Sequence, residues 1–189
     1  MAVMAFGDES VRWTGVPEPD YLLGAYVCEE DDDTLTDSLA HFARGSKLHW
    51  RDTPKPVTRR VCAVIGSSPA THVVVAAAPL GQGVREEAAR QRSLATLISV
   101  LAEEYGVTAL TLERRQYVQD MEDQTTVKVA PLSHAIPEGF ELVHQFGQED
   151  ARLWVPDQVL GAYGDALAGD SRAWDLLARQ VQIERVNLA

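Results

Sequence analysis

Residues 72–113 read HVVVAAAPLGQGVREEAARQRSLATLISVLAEEYGVTALTLE, and an α/β architecture follows from their order. The first seven, His72 to Ala78, form a short apolar run closed by Pro79, Gly81 and Gly83, as a buried strand would be. From about Val84 to Tyr105, Leu94, Leu97, Ile98, Leu101 and Tyr105 recur at three- and four-residue spacing, which predicts a long helix with one core-facing stripe. Gly106 stands where a left-handed cap ends such a helix, and Val107 to Leu112 alternates as a strand that stops at Glu113. Strand, helix and strand in this order make a βαβ crossover, so a parallel pair is predicted.

Upstream, Ala2 to Phe6 reads as a first strand that stops at Gly7-Asp8-Glu9-Ser10. Trp13 to Asp20 reads as a hairpin loop, which makes Tyr21 to Cys28 an antiparallel partner. The acidic run Glu29 to Asp33 is a solvated loop leading into a short helix, Thr34 to Phe42; it lacks the alternating ligands and glycine of a calcium loop. A polar segment, Gly45 to Pro56, precedes a helix from Val57 to Gly66.

Downstream, Arg114 to Leu132 is mixed, helical in its first half while Thr125, Thr126, Val127 and Val129 argue otherwise later. Pro131 and Pro137 bound a loop, and Phe140 to Phe146 reads as a strand. Leu153-Trp154-Val155-Pro156-Asp157 opens a helix to about Leu167, with proline in the first turn where its missing N–H costs nothing. A final amphipathic helix bearing Trp174, Leu177 and Val181 is expected. There is no internal repeat or linker, so residues 1–189 are expected to form one domain.

The chain is 46% hydrophobic and 24% charged, a globular composition, and it has no apolar run long enough to span a bilayer; a cytoplasmic location is expected. Cys28 and Cys62 lie in apolar segments and read as buried thiols. The 17 Lys and Arg against 28 Asp and Glu give a net charge of −11, which counts against broad nucleic-acid binding and confines any such contact to a local basic face. Arg85, Arg90 and Arg92 on one helix, Arg59 and Arg60 on another, and Arg114 and Arg115 after a strand read mainly as solvated cations.

Three acids stand out by position: Asp8 at the end of the first strand, Glu113 at the end of a parallel strand, and Asp157 in the first turn of a late helix between apolar residues. Carboxylates far apart in sequence but gathered at one sheet edge suit magnesium or manganese. Glu9 is a further metal candidate, though it faces the opposite way if its strand continues. Among the histidines, His49 stands out in a loop with Lys47, Arg51 and Asp52, while His41, His72, His134 and His144 read as structural. Gly81-Gln82-Gly83 is no phosphate loop, and no serine sits in a nucleophile elbow.

Asp8-Glu9-Ser10, Lys47-Leu48-His49-Trp50-Arg51-Asp52, Glu113-Arg114 and Leu153 to Ala162 together resemble the domain-of-unknown-function 3800 family, a branch of the RNase H-like superfamily. Val11 and Pro156 depart from its pattern. The resemblance implies a mixed central sheet with helices on both faces and an acidic site that binds two metal ions in active relatives. Asp8, Glu113 and Asp157 would be its acids, with Glu9 and Asp123 as weaker ones. The expectation is a metal-dependent nuclease using Mg2+ or Mn2+, with Lys47, His49 and Arg51 on the phosphate backbone. The alternative is a non-catalytic module that binds protein or nucleic acid. Trp13 and Trp174 would serve a homodimer.

Overall fold

The computed structural model describes residues 3–30, 32–81, 85–129 and 136–189. The readings made on Ala2, Asp31, Gln82 to Val84, Pro131 and His134 lie outside these residues. Strands β1 (Val3–Arg12) and β2 (Asp20–Glu29) form the expected antiparallel hairpin. Helices α1 (Thr34–Ala40) and α2 (Lys55–Ser67) follow, then β3 (Thr71–Ala78), α3 (Glu86–Tyr105) and β4 (Ala109–Glu113). The chain continues through α4 (Tyr117–Val129), β5 (Glu141–Gln145), α5 (Trp154–Leu167) and β6 (Val181–Asn187).

The sheet order is β5-β4-β1-β2-β3-β6, and only β2 runs against the rest. β3 and β4 are parallel as expected but are not neighbours, because the β1–β2 hairpin lies between them. A βαβ order fixes the direction of two strands, not their adjacency. The α3 stripe of Leu94, Leu97, Ile98 and Leu101 is fully buried against Leu23, Val73, Val75 and Leu110 on one face of the sheet. On the other face α1, α2 and α5 cover Phe6, Leu22, Tyr26 and Val74, with Trp50, Val61, Ile65 and Leu160 between. Both cysteines are free and buried.

Three local expectations need correction. β1 does not stop at Phe6 but runs to Arg12, so Asp8 and Glu9 lie inside a strand and point to opposite faces. Thr125, Thr126 and Val127 are helical. Thr125 and Thr126 return their hydroxyls to the carbonyls of Met121 and Glu122, at 2.9 and 3.0 Å, which lets β-hydroxyl residues sit inside a helix. The last amphipathic helix is instead two short 3-10 turns, at 174–176 and 178–180, followed by β6. Val181 and Ile183 alternate with Gln182 and Glu184, a period of two, and pairing with β3 satisfies their backbone. Trp174 is half-buried against Tyr163, with ring centroids 4.9 Å apart, so it is not the exposed residue expected of an interface; Trp13 is exposed.

Candidate active site

Asp8 lies opposite Gly24 of β2, one residue beyond Gly7, which is level with Leu112 of β4. The next step of that register brings Asp8 level with Glu113, on the face of the sheet that α5 covers. Asp157, in the first turn of α5, completes the group. All three acids singled out from the sequence line one cavity of about 270 Å³. Lys47, His49 and Arg51 line the same cavity. A larger cavity of about 580 Å³, beside Val3, Tyr26 and Cys28, lies at the opposite end of β1 and touches none of them.

Asp157 is held by the polypeptide from two directions. Its Oδ2 accepts the Trp50 backbone N–H at 2.6 Å and the Gln158 amide at 3.0 Å, while His49 Nε2 lies 3.9 Å from Oδ1. The residue four further along α5 is Gly161, and a Cβ there would lie 2.2 Å from the Trp50 ring. Glycine therefore lets the Trp50 loop come close enough to donate to Asp157. The first-turn position also offers the carboxylate the favourable end of the helix dipole.

Glu113 is met by the Lys47 ammonium at Oε1, whereas its Oε2 is buried without a hydrogen-bond partner. Gly147 walls this pair in, since a Cβ there would lie 3.0 Å from Lys47 Cε and 3.2 Å from Glu113 Oε1. Among the described residues Asp8 accepts only the neighbouring Glu9 N–H, at 2.8 Å. Burial pushes its carboxyl well above the ordinary range, and the charges of Asp157 and Glu113 push it further. Burial likewise raises Asp157, with Glu113 adding to it and His49, the Trp50 N–H and Lys47 opposing. A cluster of three carboxylates only partly offset by Lys47, with an orphaned oxygen, suits a hard divalent cation, and the all-oxygen donor set fits magnesium or manganese.

Glu9 also lines this cavity, but its carboxylate is engaged in a different arrangement, on the other face of the sheet. Its carboxylate meets Arg90 and the Tyr21 hydroxyl. Arg90, 2% exposed, also forks onto Asp123, with Nε and Nη2 at 2.7 and 2.6 Å from the two oxygens. This corrects the reading of Arg90 as a solvated cation. It stands four residues before Leu94, on the apolar stripe itself, which is the signal that places it inside. Asp123 is fully buried; the Arg90 and His144 hydrogen bonds outweigh its burial and bring its carboxyl down to about 2.

Asp120, Asp123 and His144 form a carboxylate and histidine cluster whose ligand atoms all lie within 4.8 Å of one another. Among the described residues no other group of three such donors is so tight, and the Asp8, Glu113 and Asp157 set is more open. However, the oxygens of Asp123 are already occupied by Arg90 and His144, and Asp120 accepts the Arg115 N–H at 3.1 Å. His144, which reads as structural in the sequence, is the histidine of this cluster, its Nε2 2.9 Å from Asp123 Oδ2.

Sequence reasoning missed Trp50, Gln158, Gly147 and Arg12 around the cavity. It also missed the concentration of charge there: Arg12, Lys47, Arg51, Arg114 and Arg115, five of the chain's 17 Lys and Arg, line one acidic pocket. The four segments Asp8-Glu9-Ser10, Lys47 to Asp52, Glu113-Arg114 and Leu153 to Ala162 all contribute to it.

No family model matches the sequence, and no curated protein matches it. Among solved structures, the chain is similar to the RNase HII of Archaeoglobus fulgidus, in the structure of its complex with PCNA. The TM-score is 0.52 and the identity 11%, over 94% of this chain and 87% of that one. At that identity the likeness shows the fold: a mixed six-stranded sheet with flanking helices, of the RNase H-like kind.

Proposed function

We propose that this chain is a single-domain, divalent-metal-dependent nuclease in which Asp8, Glu113 and Asp157 hold Mg2+ or Mn2+ and hydrolyse a phosphodiester bond. The observation that carries the proposal is the meeting of these carboxylates in one cavity, with an orphaned Glu113 oxygen and five surrounding cations. A bound divalent ion would supply a Lewis acid for the phosphoryl oxygens and a water of lowered pKa.

The chain's own residues prepare that chemistry. The β1 and β4 backbones fix Asp8 and Glu113, while the Trp50 N–H and Gln158 orient Asp157. Lys47 neutralises Glu113, and Arg51 is exposed at the rim, where it would take a backbone phosphate. His49 stands between Asp157 and Asp52, with Nδ1 3.5 Å from the latter, and would steady the pocket edge as charge develops on the phosphate. Arg12, Lys47, Arg114 and Arg115 each face an acid, so against the net charge of −11 the exposed Arg51 is the cation best placed for a strand's phosphate.

Membership of the domain-of-unknown-function 3800 family is part of the proposal. It is supported by the convergence of the four resembling segments on this pocket. The test is cleavage of single-stranded, duplex and hybrid substrates with manganese. The expected result is cleavage that Asp8→Ala abolishes. No cleavage by the wild type, or unchanged cleavage by the variant, would overturn the enzyme and favour a non-catalytic binding module.

A further inference from the structure

Of seven large apolar side chains exposed among the described residues, five lie on α4 and at β5, Tyr117, Val118, Met121, Val143 and Phe146, and three of these, Tyr117, Met121 and Val143, line one cleft. Single exposed apolar residues need no explanation, but a cluster does. Tyr117, Met121, Leu142 and Val143 wall a cleft of about 500 Å³, inside the roughly 300–1,000 Å³ range of small-ligand sites. Arg114 lines both this cleft and the acidic cavity, so the two adjoin through one guanidinium. We propose that this cleft receives an unpaired base of a single-stranded nucleic acid whose phosphates lie across Arg114 toward the carboxylates. The inference rests on the nuclease reading and names its substrate as a single strand.

The chemistry of the walls favours a base. Tyr117 is 78% exposed, so its ring is free to stack, and the Arg114 guanidinium lies 5.2 Å from the centroid of the exposed Phe146 ring. Aromatic and guanidinium planes stack on any base, and the Arg114 side chain, 45% exposed with its Nε 3.5 Å from Asp120, leaves part of its charge for a phosphate. Of the polar groups lining the cleft, the Gln124 side-chain oxygen is left for a base edge, since its amide nitrogen donates to Leu142, His144 Nε2 is engaged with Asp123 and Asp120 accepts the Arg115 N–H. A base within a duplex has both faces covered by its neighbours and cannot enter without being unstacked.

The edge of the sheet speaks against the other obvious occupant, an added peptide strand. β5 is an edge strand, and such edges invite strand addition through free carbonyls and amides. Here Gln124 Nε2 donates to the Leu142 carbonyl at 2.7 Å, and Arg114 Nη2 donates to the His144 carbonyl at 3.1 Å. Both carbonyls that a new strand would use are already taken, while the apolar walls remain open.

The experiment is fluorescence anisotropy of the full chain with a labelled oligodeoxythymidine and with the same strand in a duplex, calcium replacing manganese. Binding of the single strand at least about tenfold tighter than the duplex is expected, with Tyr117→Ala weakening single-strand binding about tenfold. Val143→Gln should weaken it in the same direction, and neither change should alter manganese binding measured by calorimetry. Both residues are exposed, so the variants fold. Equal binding by wild type and Tyr117→Ala, a preference for duplex, or a change of oligomeric state in Tyr117→Ala overturns the cleft assignment. If manganese fails to bind while Tyr117-dependent strand binding remains, the cleft stands and the nuclease reading falls.

Discussion

Lys47 and Glu113, from a loop and from the end of a central strand, meet as ammonium and carboxylate, leaving the other Glu113 oxygen buried and unpartnered. The pair shows how the pocket tolerates three acids without a metal: an internal cation offsets part of their repulsion. Lys47→Met should lower metal-free stability by about 1 kcal/mol, as for a partly buried ion pair. Manganese should restore the loss. Urea denaturation with chelator and with manganese reads both effects, and a variant more stable than wild type in chelator would contradict them.

The raised carboxyls of Asp8 and Asp157 give the metal-free protein a pH dependence of definite sign. Between the ordinary carboxylate value of 3.8 and their raised values, the folded chain binds more protons than the unfolded one. This contribution to stability is therefore complete at low pH and is lost as pH rises through that window. Asp8→Asn should unfold at higher urea than wild type at neutral pH in chelator, yet gain nothing from manganese. Manganese affinity of the wild type should rise with pH over the same window, because the metal displaces protons. A lower urea midpoint for Asp8→Asn would refute this account of the repulsion.

His72 makes the opposite dependence. It is completely buried beside Tyr26, neither ring nitrogen has a partner, and burial lowers its pKa from 6.5 to about 3. A neutral histidine in this place contributes stability that is whole above 6.5 and is lost as pH falls toward 3. Relative to His72→Leu, the wild type should lose about 1.4 kcal/mol per pH unit in this range. Urea midpoints of both proteins at several pH values measure the difference, and parallel curves would show that His72 does not titrate as described.

Gly161 is the position where one methyl group should disturb the site from outside it. Gly161→Ala puts a Cβ against the Trp50 ring, and the indole must move, taking with it the N–H that holds Asp157. A cost of about 1–3 kcal/mol is expected from overpacking, together with weaker manganese binding. Calorimetry and denaturation test this, and a variant with wild-type values in both would show that the Trp50 contact does not organise the pocket.

The fold was legible where periodicity was strong. The β1–β2 hairpin, the α3 stripe and the strand before Glu113 all follow from spacing and glycine punctuation. The position of β6 was not legible, because Trp174, Leu177 and Val181 fit a helical spacing and only partnership with β3 selects the period of two. Similarly, the order of β3 and β4 in the sheet depends on where an earlier hairpin docks.

At the site, Glu113 at a strand end and Asp157 in a first helical turn could be selected because those positions converge in α/β sheets, whereas Asp8, a strand-end acid by its sequence, lies inside β1. The supports of Asp157 could not, since the Trp50 N–H is a backbone group and Gly161 matters only through what it leaves empty. Arg90 could have been placed inside from its register with Leu94, but a charge on an apolar stripe is legible only if its partners are known. Those partners, Glu9 and Asp123, come from β1 and α4.

The central claim is that a divalent metal binds at Asp8, Glu113 and Asp157. A crystal of the wild-type protein soaked in manganese, measured at the manganese absorption edge, tests it most directly. The account predicts an anomalous peak in contact with Asp8 and with at least one oxygen of Glu113 or Asp157, and none at Asp120, Asp123 and His144. A peak at the second cluster, or none beside Asp8 with manganese in excess, would contradict it.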